Sequence, residues 1–395
     1  MRIGMILDKT FPPDVRVENE AETLVKQGHD VFLFCLKYND EQLDDELING
    51  IKVCRYSSSQ LEYKLSALAY TVPFYTWLMT QKIKSFIKKN QIEALHIHDI
   101  RIADAVFKAN KKSKLKIVLD LHDNMPEIMQ FYPHLQKFPG KYIISLKKWK
   151  VKEEEFIRKA DKVITVSPEF VDEVVNRTKI ASDKIVLVPN TIRKSFYQDA
   201  IIEVSIIEKY KDSFVILYLG DTHLRRGLQT AISAIKNVSK EIENVKLVIV
   251  GSNTTDAVLK QQTKDLEVEK YVDFEGWQNV ALFPSYIKAS TICISPLHRN
   301  IQHDVAYANK LFQYMSFEKS VLVSNATAQK TLIEKVDAGW VHADRDVADF
   351  TQKIIEIFKD VKGRHQKGKN GSEFVKEEFI WEKTSQKLVE LYNQL

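Results

Sequence analysis

The chain has 395 residues, 44% hydrophobic and 28% charged, with a net charge of +5. That length exceeds one ordinary core and predicts two domains of roughly 150–200 residues each. The charge excess is small and scattered, and no dense Lys/Arg stripe with interleaved aromatics occurs, so nucleic acid is excluded as a partner. Cys35, Cys54 and Cys293 lie far apart in apolar runs and read as buried small hydrophobes in a reducing compartment. The chain starts directly on a strand pattern, without the basic, apolar and small-residue regions of a secretion signal. Its longest apolar stretch, Leu65 to Met79, is broken by Pro73 and falls short of the roughly 20 residues of a spanning helix. A cytoplasmic protein is expected.

Strand patterns fall at Arg2–Leu7, Asp30–Cys35, Ile51–Tyr56, Ala94–His98, Lys116–Leu121, Lys162–Val166 and Lys184–Val188. Amphipathic helical patterns separate them, such as Val17–Lys26, which stops before a left-handed position at Gly28. The pattern loosens from Thr191 to Asp212, then restarts with Phe214–Leu219, Lys246–Val250, Tyr271–Phe274, Thr291–Ser295 and Ser320–Val323. Such alternation predicts an α/β protein with two successive Rossmann-like domains, mostly parallel sheets, divided at residues 198/199. Parallel sheets bind ligands at the carboxyl ends of their strands, so the chemistry is sought there.

The first such end is the loop Asp8–Arg16, which has two prolines and no glycine, and therefore no dinucleotide-binding fingerprint. Further on, His98-Asp99 closes one strand and Leu121-His122-Asp123-Asn124-Met125-Pro126-Glu127 closes the next. A histidine among acids at a strand end suits a ligand contact, a metal, or a satisfied structural role. No helical His pairing accompanies it, which weighs against metal. In the second half, Phe214–Leu219 runs into Gly220-Asp221-Thr222-His223-Leu224-Arg225-Arg226-Gly227. There Gly220 permits close approach of a ligand, and the paired arginines suit bidentate phosphate contacts or a solvated basic turn. The turns at Gly251 and at Gly276-Trp277 end two more strands and read equally as scaffold. Finally, Asn309-Lys310-Leu311-Phe312-Gln313-Tyr314-Met315 opens a helix after an apolar strand. A cation beside the unpaired amides of a helix N-terminus points to an anionic ligand.

Taken in order, these segments resemble bacterial family 4 glycosyltransferases over nearly the whole chain. The resemblance implies a GT-B architecture, with two Rossmann-like domains facing each other across a cleft. It implies an N-terminal acceptor domain of residues 1–198, onto which a helix in 378–395 packs back, and a donor domain of residues 199–377. The implied activity is retaining transfer of a hexosyl group from a nucleotide-diphosphate sugar to a glycan or lipid-linked acceptor in surface polysaccharide synthesis, without metal or other cofactor. By the same resemblance Arg226 and Lys310 hold the diphosphate, with Arg225 assisting. His122 lies beside the sugar, with Asp123, Glu127, His98 and Arg16 in the same region. Gly220, Gly251, Trp277, Asn309, Leu311 and Gln313 line the nucleotide.

Two departures stand out. The family's glutamate pair is replaced by Val305 and Gln313, so the acidic contact to the sugar is missing or moved to His303 or Asp304. Where a basic residue often follows the strand glycine, this chain has Asp221. A sugar-nucleotide epimerase and a non-catalytic nucleotide-sugar-binding subunit are the rival readings. The basic-aromatic zones Tyr63–Lys89 and Phe131–Lys159 read either as solvated amphipathic helices or as a surface for an anionic membrane.

Overall fold

A computed structural model describes residues 1–39, 41–138 and 140–395, apart from the side chains of residues 133 and 134. The chain divides into two compact units, Met1–Asn190 with Ser385–Leu395, and Thr191–Thr384. The first boundary therefore lies ahead of the expected residue 198, and the returning segment begins at Ser385.

The first unit is built on an eight-stranded sheet of order β3-β4-β2-β1-β5-β6-β7-β8. Its strands are β1 Arg2–Ile6, β2 Asp30–Lys37, β3 Asp45–Ile48, β4 Ile51–Ser57, β5 Ala94–His98, β6 Lys116–Asp120, β7 Lys162–Thr165 and β8 Ile185–Leu187. All neighbours pair in parallel except β3, which runs antiparallel to β4. The central strands carry apolar side chains on both faces because helices cover both. Helix Val15–Lys26 is capped by Asp14, which accepts from the Val17 amide at 3.2 Å, and the chain turns at Gly28 with φ 84°. Helix Gln386–Asn393 packs against that helix and β8.

The second unit has a six-stranded, wholly parallel sheet of order β11-β10-β9-β12-β13-β14. Its strands are β9 Phe214–Leu219, β10 Val245–Val250, β11 Val272–Gly276, β12 Ile292–Ser295, β13 Val321–Ser324 and β14 Gly339–His342. Two buried clusters flank it. One gathers helix Leu228–Glu241 and helix Val347–Lys359, and the other holds Leu311, Phe312, Tyr314 and Met315. In both sheets the strand order reverses direction beside the first strand, at β1/β5 and β9/β12. These switch points open a crevice at the carboxyl edge of an α/β sheet.

Candidate active site residues at the two sheet edges

At the carboxyl edge of the second sheet, β9 ends in Gly220 (φ 110°) and β10 in Gly251 (φ 139°). A Cβ on Gly251 would stand 2.0 Å from the Gly220 carbonyl oxygen, so the two strand ends close together only because Gly251 lacks a side chain. The same bareness admits Lys310. Its ammonium would be 3.4 Å from a Cβ on Gly220, and it lies 3.5 Å from the centroid of the Tyr218 ring, a cation–π arrangement. The Tyr218 hydroxyl in turn donates to the Asp221 carbonyl at 2.6 Å, which fixes the ring.

Lys310 keeps some surface in contact with solvent, yet its ammonium is enclosed by protein and makes no ion pair among the described residues. Burial drives its pKa well below the ordinary lysine value, and Arg226 pushes it further, against partial relief from Asp221. Arg226 is tied to Asp221, Nε to Oδ2 at 3.1 Å. The other oxygen of Asp221 accepts from Asn253 Nδ2 at 2.6 Å and from the His223 amide at 3.1 Å. Burial of this carboxyl is outweighed by Arg226 and these bonds, so it stays below its usual range. Asp221, standing where a basic residue was expected, thus holds Arg226 in place until an anion arrives.

His303 completes the cluster. It is 3% exposed. Its Nδ1 lies 2.7 Å from the His298 carbonyl oxygen and 2.9 Å from Asn300 Nδ2, and Asn300 Oδ1 accepts from its amide at 3.0 Å. Burial, then Arg226, Arg225 and Lys310, lower its pKa to about 3, so the ring is neutral. Nε2 is buried and has no partner among the described residues.

Several expected contacts are used otherwise. Helix Lys310–Ser316 is short, and its opening amides are occupied: Leu311 donates to Ala308 at 2.9 Å and Phe312 to Asn309 at 3.1 Å. Leu311 itself is core, so the anion cradle is made by side chains and not by helix amides. Asp304 accepts from Arg299 at 3.1 and 3.2 Å and from the Thr327 amide at 2.9 Å, which makes it a local brace. Asn309 is exposed, Gln313 half-buried and Val305 buried. Trp277, 75% exposed, follows the edge strand β11.

The edge of the first sheet carries a second constellation. Arg16 is not a free cation beside a loop; it is buried and bonded to Asp120 through both branches, at 2.7 and 2.6 Å. It also reaches Glu20 at 2.9 Å and Asn190 at 2.7 Å. His98 is likewise inside, 3.3 Å from Asp120, and offers nothing to the edge. His122 lies nearer the surface, with Nδ1 3.0 Å from Asp120 and Nε2 3.5 Å from Asp99. Burial disfavours its charge, but Asp99 and Asp120 win and raise its pKa to about 10. His122 is therefore an imidazolium. Asp99, pushed up by burial to about 6, sits at a left-handed φ of 63°. Asp123 is half-buried, and Glu127 pairs with Lys150 at 2.8 Å.

Glu20, His96, His98 and Asp120 present ligand-type atoms within 4.8 Å of one another. The guanidinium of Arg16 already contacts both carboxylates of that group, supplying the positive charge a metal would bring. This interior network, with His96 Nδ1 2.9 Å from the Tyr392 hydroxyl, was not legible in the sequence.

Comparison with known proteins identifies the family and the fold. Residues 14–196 match the model of Glycosyltransferase Family 4, and residues 201–374 that of Glycosyl transferases group 1. The chain belongs to the family 4-like glycosyltransferases of GT-B fold. One relative is the capsular polysaccharide biosynthesis glycosyltransferase CapM of Staphylococcus aureus, 24% identical over 200 residues, 47% of this chain and 48% of that protein. Another is an alpha-monoglucosyldiacylglycerol synthase of Streptococcus pneumoniae, 23% identical over 317 residues, 75% of this chain and 66% of that protein. The matches thus span from about half to just under two thirds of these relatives' length. Among solved structures, sucrose-phosphate synthase of Thermosynechococcus elongatus superposes with a TM-score of 0.81 at 17% identity, covering 100% of this chain and 98% of that one. Anabaena Alr3699/HepE in complex with UDP gives 0.74 at 14% identity, covering 100% of both chains.

Proposed function

We propose that this protein is a retaining glycosyltransferase that moves a hexosyl group from a nucleotide-diphosphate sugar to a glycan or lipid-linked acceptor, without a metal ion. The observation that carries the reading is the desolvated cationic cluster of Lys310 and Arg226 at the β9 strand end, where the backbone is bare. Such a cluster suits a diphosphate whose negative charge grows as the glycosidic bond breaks, and preorganised donors in a dry site are worth most at that moment. A diphosphate arriving there favours the charged form of Lys310 and competes with Asp221 for Arg226. Neutral His303 offers a buried acceptor for a sugar or ribose hydroxyl, a role that a protonated histidine cannot play. At the first sheet, His122 as an imidazolium donates to a substrate oxygen and is not a general base. Retention is then served by a leaving phosphate oxygen that takes the acceptor proton on the same face.

The test is a screen of nucleotide sugars for release of nucleoside diphosphate with and without acceptor extracts, on wild type, Arg226→Ala and Lys310→Ala. Each variant is expected to lose roughly 100-fold or more in turnover with an unchanged melting transition. Near-normal turnover in both removes the diphosphate clamp. Conversion of the sugar nucleotide without acceptor, leaving the diphosphate bond intact, would instead indicate an epimerase.

A further inference from the structure

The first unit contains a cavity of about 460 Å³, within the usual range of a small-molecule site. Its walls are mostly apolar: Ala67, Leu68, Met129, Ile143 and Ile144, closed on one side by Trp149. The Trp149 ring is held edge-on to Tyr70 with centroids 4.6 Å apart. The indole is 1% exposed, so it forms a closed wall of the cavity.

Two cations mark the polar side. Lys64 is exposed and makes no ion pair among the described residues, and Arg101 lies 3.4 Å from Asp8. Asp8 follows β1, and Arg101 is two residues beyond Asp99, the carboxylate beside His122. The polar side of the cavity therefore adjoins the carboxyl edge of the first sheet. The bordering helices, Gln60–Ser66, which carries Lys64, and Gly140–Ile143, expose Leu61, Tyr63, Tyr142 and Ile143 to solvent. Exposed apolar side chains grouped around an apolar cavity mark a binding surface.

We propose that this cavity holds the hydrocarbon chain of an amphiphilic acceptor with a phosphate-bearing head, so that the head meets Lys64 and Arg101. The inference rests on the glycosyl-transfer reading for its use of the word acceptor, but the binding itself is independent of turnover.

The experiment titrates the intact protein with monoalkyl phosphates of eight, ten and twelve carbons, below their micelle concentrations, followed by tryptophan fluorescence and calorimetry. Affinity is expected to rise about fourfold per added methylene while the cavity fills. Inorganic phosphate should not compete, and the alkyl maltoside of equal length should bind at least tenfold more weakly. Ala67→Trp, which fills the cavity, and Ile144→Glu, which repels both chain and head, should each weaken dodecyl phosphate at least tenfold without shifting the melting transition. The proposal is overturned if wild type fails to bind dodecyl phosphate, if affinity ignores chain length, or if both variants bind normally. A protein that turns over nucleotide sugars but binds no alkyl phosphate sinks the cavity alone. One that binds the series yet releases no nucleoside diphosphate sinks the transferase reading and leaves the cavity standing.

Discussion

Binding of a nucleoside diphosphate should draw a proton onto Lys310. In the free protein burial and Arg226 hold its pKa well below that of an ordinary lysine. A diphosphate 3 to 4 Å away reverses the balance, because an opposite charge at that range favours the ammonium (roughly 1–3 units in comparable sites). Above the lowered pKa the free group is neutral and the bound group charged, so each binding event takes up as much as one proton. One proton corresponds to a tenfold loss of affinity per unit rise in pH, about 1.4 kcal/mol. The assay is calorimetric titration with UDP in phosphate-free buffers of different ionisation heat, over the neutral to mildly alkaline range, on wild type and Lys310→Met. The nucleotide's own ionisation contributes to both proteins, so the informative quantity is their difference. Wild type should take up more protons than the variant, and its affinity should fall more steeply with pH. Equal uptake by the two proteins would refute the picture of a desolvated, charge-depleted lysine at the β9 end.

Three other outcomes follow from the geometry. Arg16→Met strands Asp120 and Glu20 in the interior and should cost about 3–5 kcal/mol in denaturant unfolding. Arg16→Lys should recover little of that loss, since a point charge cannot reproduce the two-branched contact to Asp120. His122 has its folded pKa raised from 6.5 to about 10, so its contribution to stability is fully present below the unfolded value and is lost as pH rises through about 10. Melting temperature measured from neutral to strongly alkaline pH should therefore fall more in wild type than in His122→Asn. Gly251→Ala places a Cβ against the Gly220 carbonyl and should weaken UDP binding at least tenfold or destabilise the second unit, as titration and melting would show.

What the sequence made legible follows the physics of each element. The buried parallel strands announce themselves as continuous apolar runs, and the cations Arg226 and Lys310 stand at strand ends where an α/β sheet takes its ligands. β3 escaped notice because its four residues, Asp45–Ile48, are almost wholly exposed and show no apolar alternation. β14 escaped because it is short and opens on a glycine. Charge roles were harder still. Arg16 looks like a loop cation in sequence, and only the fold brings it to Asp120, 104 positions away. Asp221 reads as a missing base, whereas its value is as a temporary counter-ion. His303 was visible only as a substitute for an absent glutamate. Its neutrality depends first on burial and then on the arginines that the fold gathers around it.

The helix Gln386–Asn393 has a consequence for how this chain is made. Tyr392 closes on His96 in the interior of the first unit, so that unit is completed by a segment synthesised only after the whole of the second. Domains ordinarily fold as they leave the ribosome, the earliest first. Here the contiguous stretch Thr191–Thr384 is the one whose residues are all available sooner than the final piece of its predecessor. The first unit must wait, incomplete and with its ionic interior unsealed, until Ser385–Leu395 has been translated.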